Sequence, residues 1–159
     1  MKRLVDLHRS LDATTRTGER LAAIRRYLDA APPADAAWAL WLLAGGRFKR
    51  AFAGPRLKDW TAEASGHPRW LVEECHEAAG DLAETIALLH PEAGAGAGGE
   101  VAAFDQPLAA FIEAWVAPLP GLEVSARRER FLEAWRSLPT DVLHLWVKML
   151  TGALRVGVQ

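Results

Sequence analysis

Apolar residues recur at helical spacing along almost the whole chain, and prolines and glycines fall between the stripes. Leu4, Leu7 and Leu11 share one helix face, as do Leu21, Ile24 and Leu28. Leu108, Phe111, Ile112 and Trp115 form a longer stripe. Phe131, Leu132, Trp135 and Leu138 form the next, and Leu143, Trp146, Val147 and Leu150 the last. Pro32-Pro33, Gly45-Gly46, Pro55, Gly66, Pro68, Gly80 and Pro118 supply the stops and starts. No segment shows the two-residue alternation of a half-buried strand, and no internal repeat is present. The pattern predicts an all-α domain of about nine helices. It would form two lobes, joined by a flexible Gly/Ala loop at residues 91–99 (PEAGAGAGG).

Local signals refine this reading. The segment Ala36 to Leu43 is apolar nearly all round, which predicts a central helix. Asp81 and Glu84 have the spacing of a capping box, and Ser125 and Thr140 suit the caps of the last two helices. With 159 residues, half of them apolar, the chain can bury a substantial core as one domain, expected to be a monomer. No apolar run approaches the length of a membrane span, and the N-terminus lacks the layout of a signal peptide. The single cysteine, Cys75, excludes an intramolecular disulfide and fits a reducing cytoplasm.

A formal net charge of −1 conceals a strong segregation. Residues 1–60 carry 12 Lys/Arg against 6 Asp/Glu, residues 61–124 carry 1 against 11, and residues 125–159 carry 6 against 3. Affinity for phosphate follows the local patch, so an acidic middle does not exclude nucleic acid. Between Ala44 and Lys58 five basic residues (Arg47, Lys49, Arg50, Arg56, Lys58) occur without an acid. Gly45-Gly46 ends a helix directly before Arg47, Lys49 and Arg50, which suits contacts to adjacent phosphates. Thr15 and Arg16 lie at a helix start, where free N–H groups favour an anion. At the other end of the chain, Gly152 stops an apolar helix, and Arg155 stands between Gly152 and Gly157. There main chain and guanidinium together can grip a phosphate backbone.

That closing segment, Thr151-Gly-Ala-Leu-Arg-Val-Gly-Val158, resembles the one that ends the N-terminal DNA-binding domain of ATP-dependent DNA ligases. Further segments resemble the bacterial form of that domain, in the same order. They are Asp12 to Thr15, Leu21 to Leu28, Pro32 to Leu40, and Trp70 to Ile86, the last containing Gly80-Asp81-Leu82. The resemblance covers most of residues 1–159. It implies an all-helical domain that binds nicked double-stranded DNA across the minor groove, with little base readout. It also implies a ligase catalytic core as partner, and a cytoplasmic, nucleoid-associated location. The family's adenylation motif, Lys-x-Asp-Gly-x-Arg, is missing: Lys2, Lys49, Lys58 and Lys148 are the only lysines, and none is followed by x-Asp-Gly. No catalytic centre and no cofactor are therefore expected in this chain. ATP and Mg2+ would belong to the parent enzyme's adenylation and oligonucleotide-binding-fold domains, which this sequence does not contain.

Other readings of the residues are weaker. The seven tryptophans could stack bases, but most fall on apolar stripes or in the central helix and read as core. Glu73-x-x-His76 and Asp141-x-x-His144 have the spacing of di-iron carboxylate bundles, yet these groups fall on polar helix faces. No metal is expected. Cys75 lies on an apolar face, and neither a nucleophile–base pair nor a phosphate-loop fingerprint is present. The main alternative to DNA binding is a helical adaptor that meets protein partners through the acidic middle.

Overall fold

A computed structural model describes residues 1–91 and 106–154, and among these every regular element is helical. The α-helices are α1 (Lys2–Asp12), α2 (Thr17–Ala30), α3 (Pro33–Leu43), α4 (Gly54–Ser65), α5 (Arg69–Ala79), α6 (Leu82–Leu89), α7 (Leu108–Trp115), α8 (Val124–Ser137) and α9 (Thr140–Thr151). A single 3-10 turn, Leu119–Gly121, links α7 to α8. Arg155, Gly157 and all but Pro91 of the expected 91–99 loop lie outside the described residues.

The expected division into two lobes at residues 91–99 does not follow the chain. Helices from before that segment pack on helices from after it: α6 against α9, α3 against α7, and α4 against α8. One buried cluster runs from Met1 and Leu4 through Phe52 and Ile86 to Leu150. The cause is complementarity, since each half of the chain carries one-sided apolar stripes that the other half covers.

α9 occupies the centre, and seven of its residues are buried: Val142, Leu143, Leu145, Trp146, Val147, Met149 and Leu150. The expectation that α3 is central is overturned. Only Asp35, Ala39 and Leu42 of α3 are buried, while Leu40 and Trp41 face outward. An all-round apolar sequence marks a helix able to be buried, but the packing gave that place to α9. Around it, Phe52, Trp60, Trp115, Phe131 and Trp146 contact one another at ring-centroid distances of 5.4 to 6.4 Å, several in edge-to-face geometry. The buried Trp146 indole donates from Nε1 to the Trp115 carbonyl at 2.8 Å, so its one polar atom is satisfied.

The caps divide into local and tertiary ones. Asp81 accepts from the Glu84 backbone N–H at 2.9 Å, as the capping-box spacing predicts. Ser125 does not cap α8, which begins one residue earlier with Glu123 in the cap position. Thr140 is the first residue of α9 rather than its cap, and its hydroxyl meets His90 Nδ1 at 2.8 Å. His90 Nε2 lies 2.7 Å from the Trp135 carbonyl, which can only accept, so in the neutral ring Nε2 carries the proton and Thr140 donates to Nδ1.

The tertiary cap comes from α3. The buried carboxylate of Asp35 accepts from the backbone N–H groups of Leu108 and Ala109, each at 2.9 Å, at the start of α7. A full charge thereby meets two orphan donors and the positive end of the α7 dipole. Asp35→Ala should lower stability in urea unfolding by about 2–3 kcal/mol, the range for losing hydrogen bonds to a buried charged group. Asp35→Asn should recover roughly half of that loss, because an amide offers one acceptor oxygen where the carboxylate offers two.

Candidate nucleic-acid interface

Residues 44–53 form an irregular strap from α3 to α4, held at both ends. At its start, the Gly45 N–H donates to the Leu42 carbonyl at 3.1 Å and the Gly46 N–H to the Trp41 carbonyl at 2.8 Å. This is a Schellman ending, with Gly45 at φ 91° supplying the left-handed turn. Gly46 then lies flat on the Trp41 indole. A Cβ there would sit 2.3 Å from two ring carbons and 2.6 Å from the Trp41 carbonyl oxygen.

Beyond this turn, inward and outward residues are sorted sharply. Phe48 turns in against Trp38 and Trp41, at centroid distances of 5.7 and 4.9 Å. Ala51 and Phe52 are buried, and Phe52 reaches the aromatic cluster around Trp146. Arg127 of α8 clamps the same end, donating to the carbonyls of Ala51 (2.8 Å), Leu122 (2.8 Å) and Pro120 (3.1 Å). Arg47, Lys49 and Arg50 are left exposed, and none makes an ion pair or side-chain hydrogen bond among the described residues. Three cations thus stand on a backbone that packing has already fixed.

Of the acid-free run between Ala44 and Lys58, Arg56 is also exposed and unpaired among the described residues, whereas Lys58 is taken up inside the fold. Lys58 and Arg69 both bind Glu73, and their hydrogen bonds pull its carboxyl down to about 2. Arg69 also pairs with Asp59, Arg128 with Glu63, and Lys148 with Asp81. Glu63, Glu73 and Asp81 of the acidic middle are thereby matched by neighbouring cations. Asp141, half of the other acid-x-x-His pair, binds Arg9.

Gly152, at φ 72°, ends α9 with a second Schellman turn, the Ala153 N–H donating to the Lys148 carbonyl at 3.0 Å. A Cβ on Gly152 would lie 3.9 Å from Cδ of Arg47. The strap and the entry to the closing segment, 105 positions apart in sequence, are therefore neighbours. Thr15 and Arg16 stand apart from this arrangement. Arg16 stands at the N-cap position of α2 and pairs with Glu19 of its first turn at 3.1 Å, and Thr14 donates to the same carboxylate. The anion at that helix start is Glu19.

The tryptophans divide as well. Trp115, Trp135 and Trp146 are core, as their stripes predict, and so is Trp60, but Trp70 is 66% exposed, and in the helix expected to be central Trp41 is 39% exposed and Trp38 is half-buried. The residues that position the site carry little sequence signal. Arg127 reads as one charge in a basic helix, and only Phe48 and Phe52, on either side of Lys49 and Arg50, hint at an anchored strap.

His144 departs from its expected polar-face position. α1 packs over that side of α9, bringing His8 to an edge-on contact at 5.9 Å and enclosing His144 Nε2 without a partner. Burial lowers both imidazoles below their ordinary value of 6.5, with Lys148 adding to the effect on each while Asp12 works against it at His8.

No family model matches this chain, and no curated protein matches it. Its described residues form an all-helical domain bearing an anchored basic strap.

Two outcomes are expected. Gly46→Ala should cost about 1–3 kcal/mol, because the clash is with backbone and with a packed indole. Guanidinium denaturation checks this. For the histidines, a lowered folded pKa means that the unfolded chain takes up protons first as pH falls through 6.5. Stability should be complete above that value and decline toward pH 5, and His144→Leu should flatten the decline. A urea midpoint indifferent to pH over that window would exclude the effect.

Proposed function

We propose that this domain binds duplex DNA without sequence preference and holds a nick in place for an ATP-dependent DNA ligase in bacterial DNA repair and replication. The observation that carries the reading is the strap. Arg47, Lys49 and Arg50 stand exposed and unpaired among the described residues, on backbone anchored by Phe48, Phe52 and Arg127. Arg47 also lies beside Gly152, which brings a second of the expected contact residues next to the strap.

On this reading the strap's cations meet successive phosphates and release counterions, and fixed backbone reduces the ordering cost of binding. Backbone and guanidinium around Gly152, Arg155 and Gly157 grip the sugar–phosphate chain, with weak base readout, as sealing any sequence requires. Arg16 contributes less, being already paired with Glu19. The adenylation chemistry, with its ATP and Mg2+, belongs to the catalytic core that acts beside this domain. Three acids of the middle segment, Glu63, Glu73 and Asp81, already have basic partners, which narrows the surface an adaptor could offer.

Binding to a labelled nicked duplex, followed from about 50 to 200 mM salt, tests this. Affinity should fall steeply, and replacing Arg47, Lys49 and Arg50 by alanine should each reduce the logarithmic salt slope by about 1. Arg155→Ala should weaken all duplex sequences alike. A loss confined to one sequence would contradict phosphate contact, and a salt-independent affinity would remove the electrostatic basis of the proposal.

A further inference from the structure

Behind the strap lies an open groove of about 680 Å³ whose walls are Trp38, Trp41 and Phe48 and whose rim carries Arg47 and Lys49. Two exposed alanines of α3, Ala34 and Ala37, complete the lining, which contains no carboxylate. The three rings brace one another at centroid distances of 4.9 to 5.7 Å, and Gly46 holds the strap against the Trp41 indole. Trp41 is left 39% exposed beside two cations that have no ion-pair partner among the described residues.

Braced aromatic walls beneath a cationic rim match a ligand that is flat and apolar at one end and anionic at the other. The volume is that of a small-ligand site. We infer that the groove receives one unpaired nucleotide at the end or interruption of a duplex. Its base lies against Trp41 and Trp38, and its phosphate meets Arg47 and Lys49. Stacking on aromatic rings tolerates every base, because each presents a π face, and rim cations track the backbone. This rests on the reading of the strap as a DNA-binding surface and adds a preference for unpaired strand. An acidic, aromatic peptide shares part of the chemistry, but its alternation of charge and ring would have to repeat along a longer groove.

The test compares a blunt duplex with the same duplex carrying a short single-stranded thymidine tail, by fluorescence anisotropy. The tailed duplex should bind about tenfold more tightly, the effect of one stacked base. Ala37→Leu fills the groove from an exposed position and should abolish that preference while leaving blunt-duplex affinity unchanged. Trp41→Leu should reduce affinity for the tail more than for the duplex. In the unaltered protein, 5-iodouracil in the tail should photo-cross-link to Trp38 or Trp41. Equal affinity for tailed and blunt duplexes, or cross-links elsewhere, would overturn the groove inference and leave the duplex reading intact. Binding to neither DNA would overturn both. An acidic, phenylalanine-containing peptide that binds the groove and is blocked by Ala37→Leu, where the tail is not, would assign it to a protein partner.

Discussion

Phe52 leaves the strap and enters the space between Trp60, Phe131 and Trp146, and the rest of the structure is organised around that insertion. It ties an irregular segment to α4, α8 and α9 at one point. Burying such a ring contributes about 1.5–3 kcal/mol, and edge-to-face pairs add to it. With Phe52 fixed, the carbonyl of Ala51 is brought to Arg127, and the chain behind it must return along Phe48 to Trp41. The outward direction of Arg47, Lys49 and Arg50 follows from what their neighbours bury.

Charge is distributed by the same logic. Cations near acids in space have been used inside the fold: Lys58, Arg69 and Lys148 face the acidic region, and Arg128 reaches Glu63. Such partly exposed pairs contribute little stability individually. Their larger consequence is to leave the strap as a concentration of unmatched positive charge. Net charge alone, at −1, hides this arrangement. The neighbourhood of Gly152 and Arg47 adds the carbonyl-rich end of α9, where a cation is favourably placed.

Much of the fold was legible because it is local. Stripes such as Leu108, Phe111, Ile112 and Trp115 announce a helix and its buried face, and Gly45 and Gly152 announce their turns through a backbone conformation that glycine adopts freely. Asp81 caps its own helix, so spacing revealed it. Asp35 caps a helix 73 positions away, and nothing in its surroundings indicates that. The misplaced centre has the same origin: α3 is the more uniformly apolar sequence, but α9 is the helix on which α1 and α6 converge. At the candidate site, the cations were visible as an acid-free run. The withdrawal of Lys58 and the pairing of Arg16 with Glu19 were not, because composition does not say which cation already has a partner.

The sequence by itself determined that the chain is helical, where most helices stop, and that its basic residues cluster near positions 47–50. These follow from periodicity and backbone sterics acting over a few residues. Tertiary structure decided which helix lies at the centre, that the two segments flanking residues 91–99 share one core, and that Arg47 meets Gly152. It also decided that Trp41 stays at the surface while Trp146 does not. Two tryptophans on apolar helices carry the same local signal. Which of them is covered depends on side chains brought together from distant parts of the chain, and only packing makes that choice.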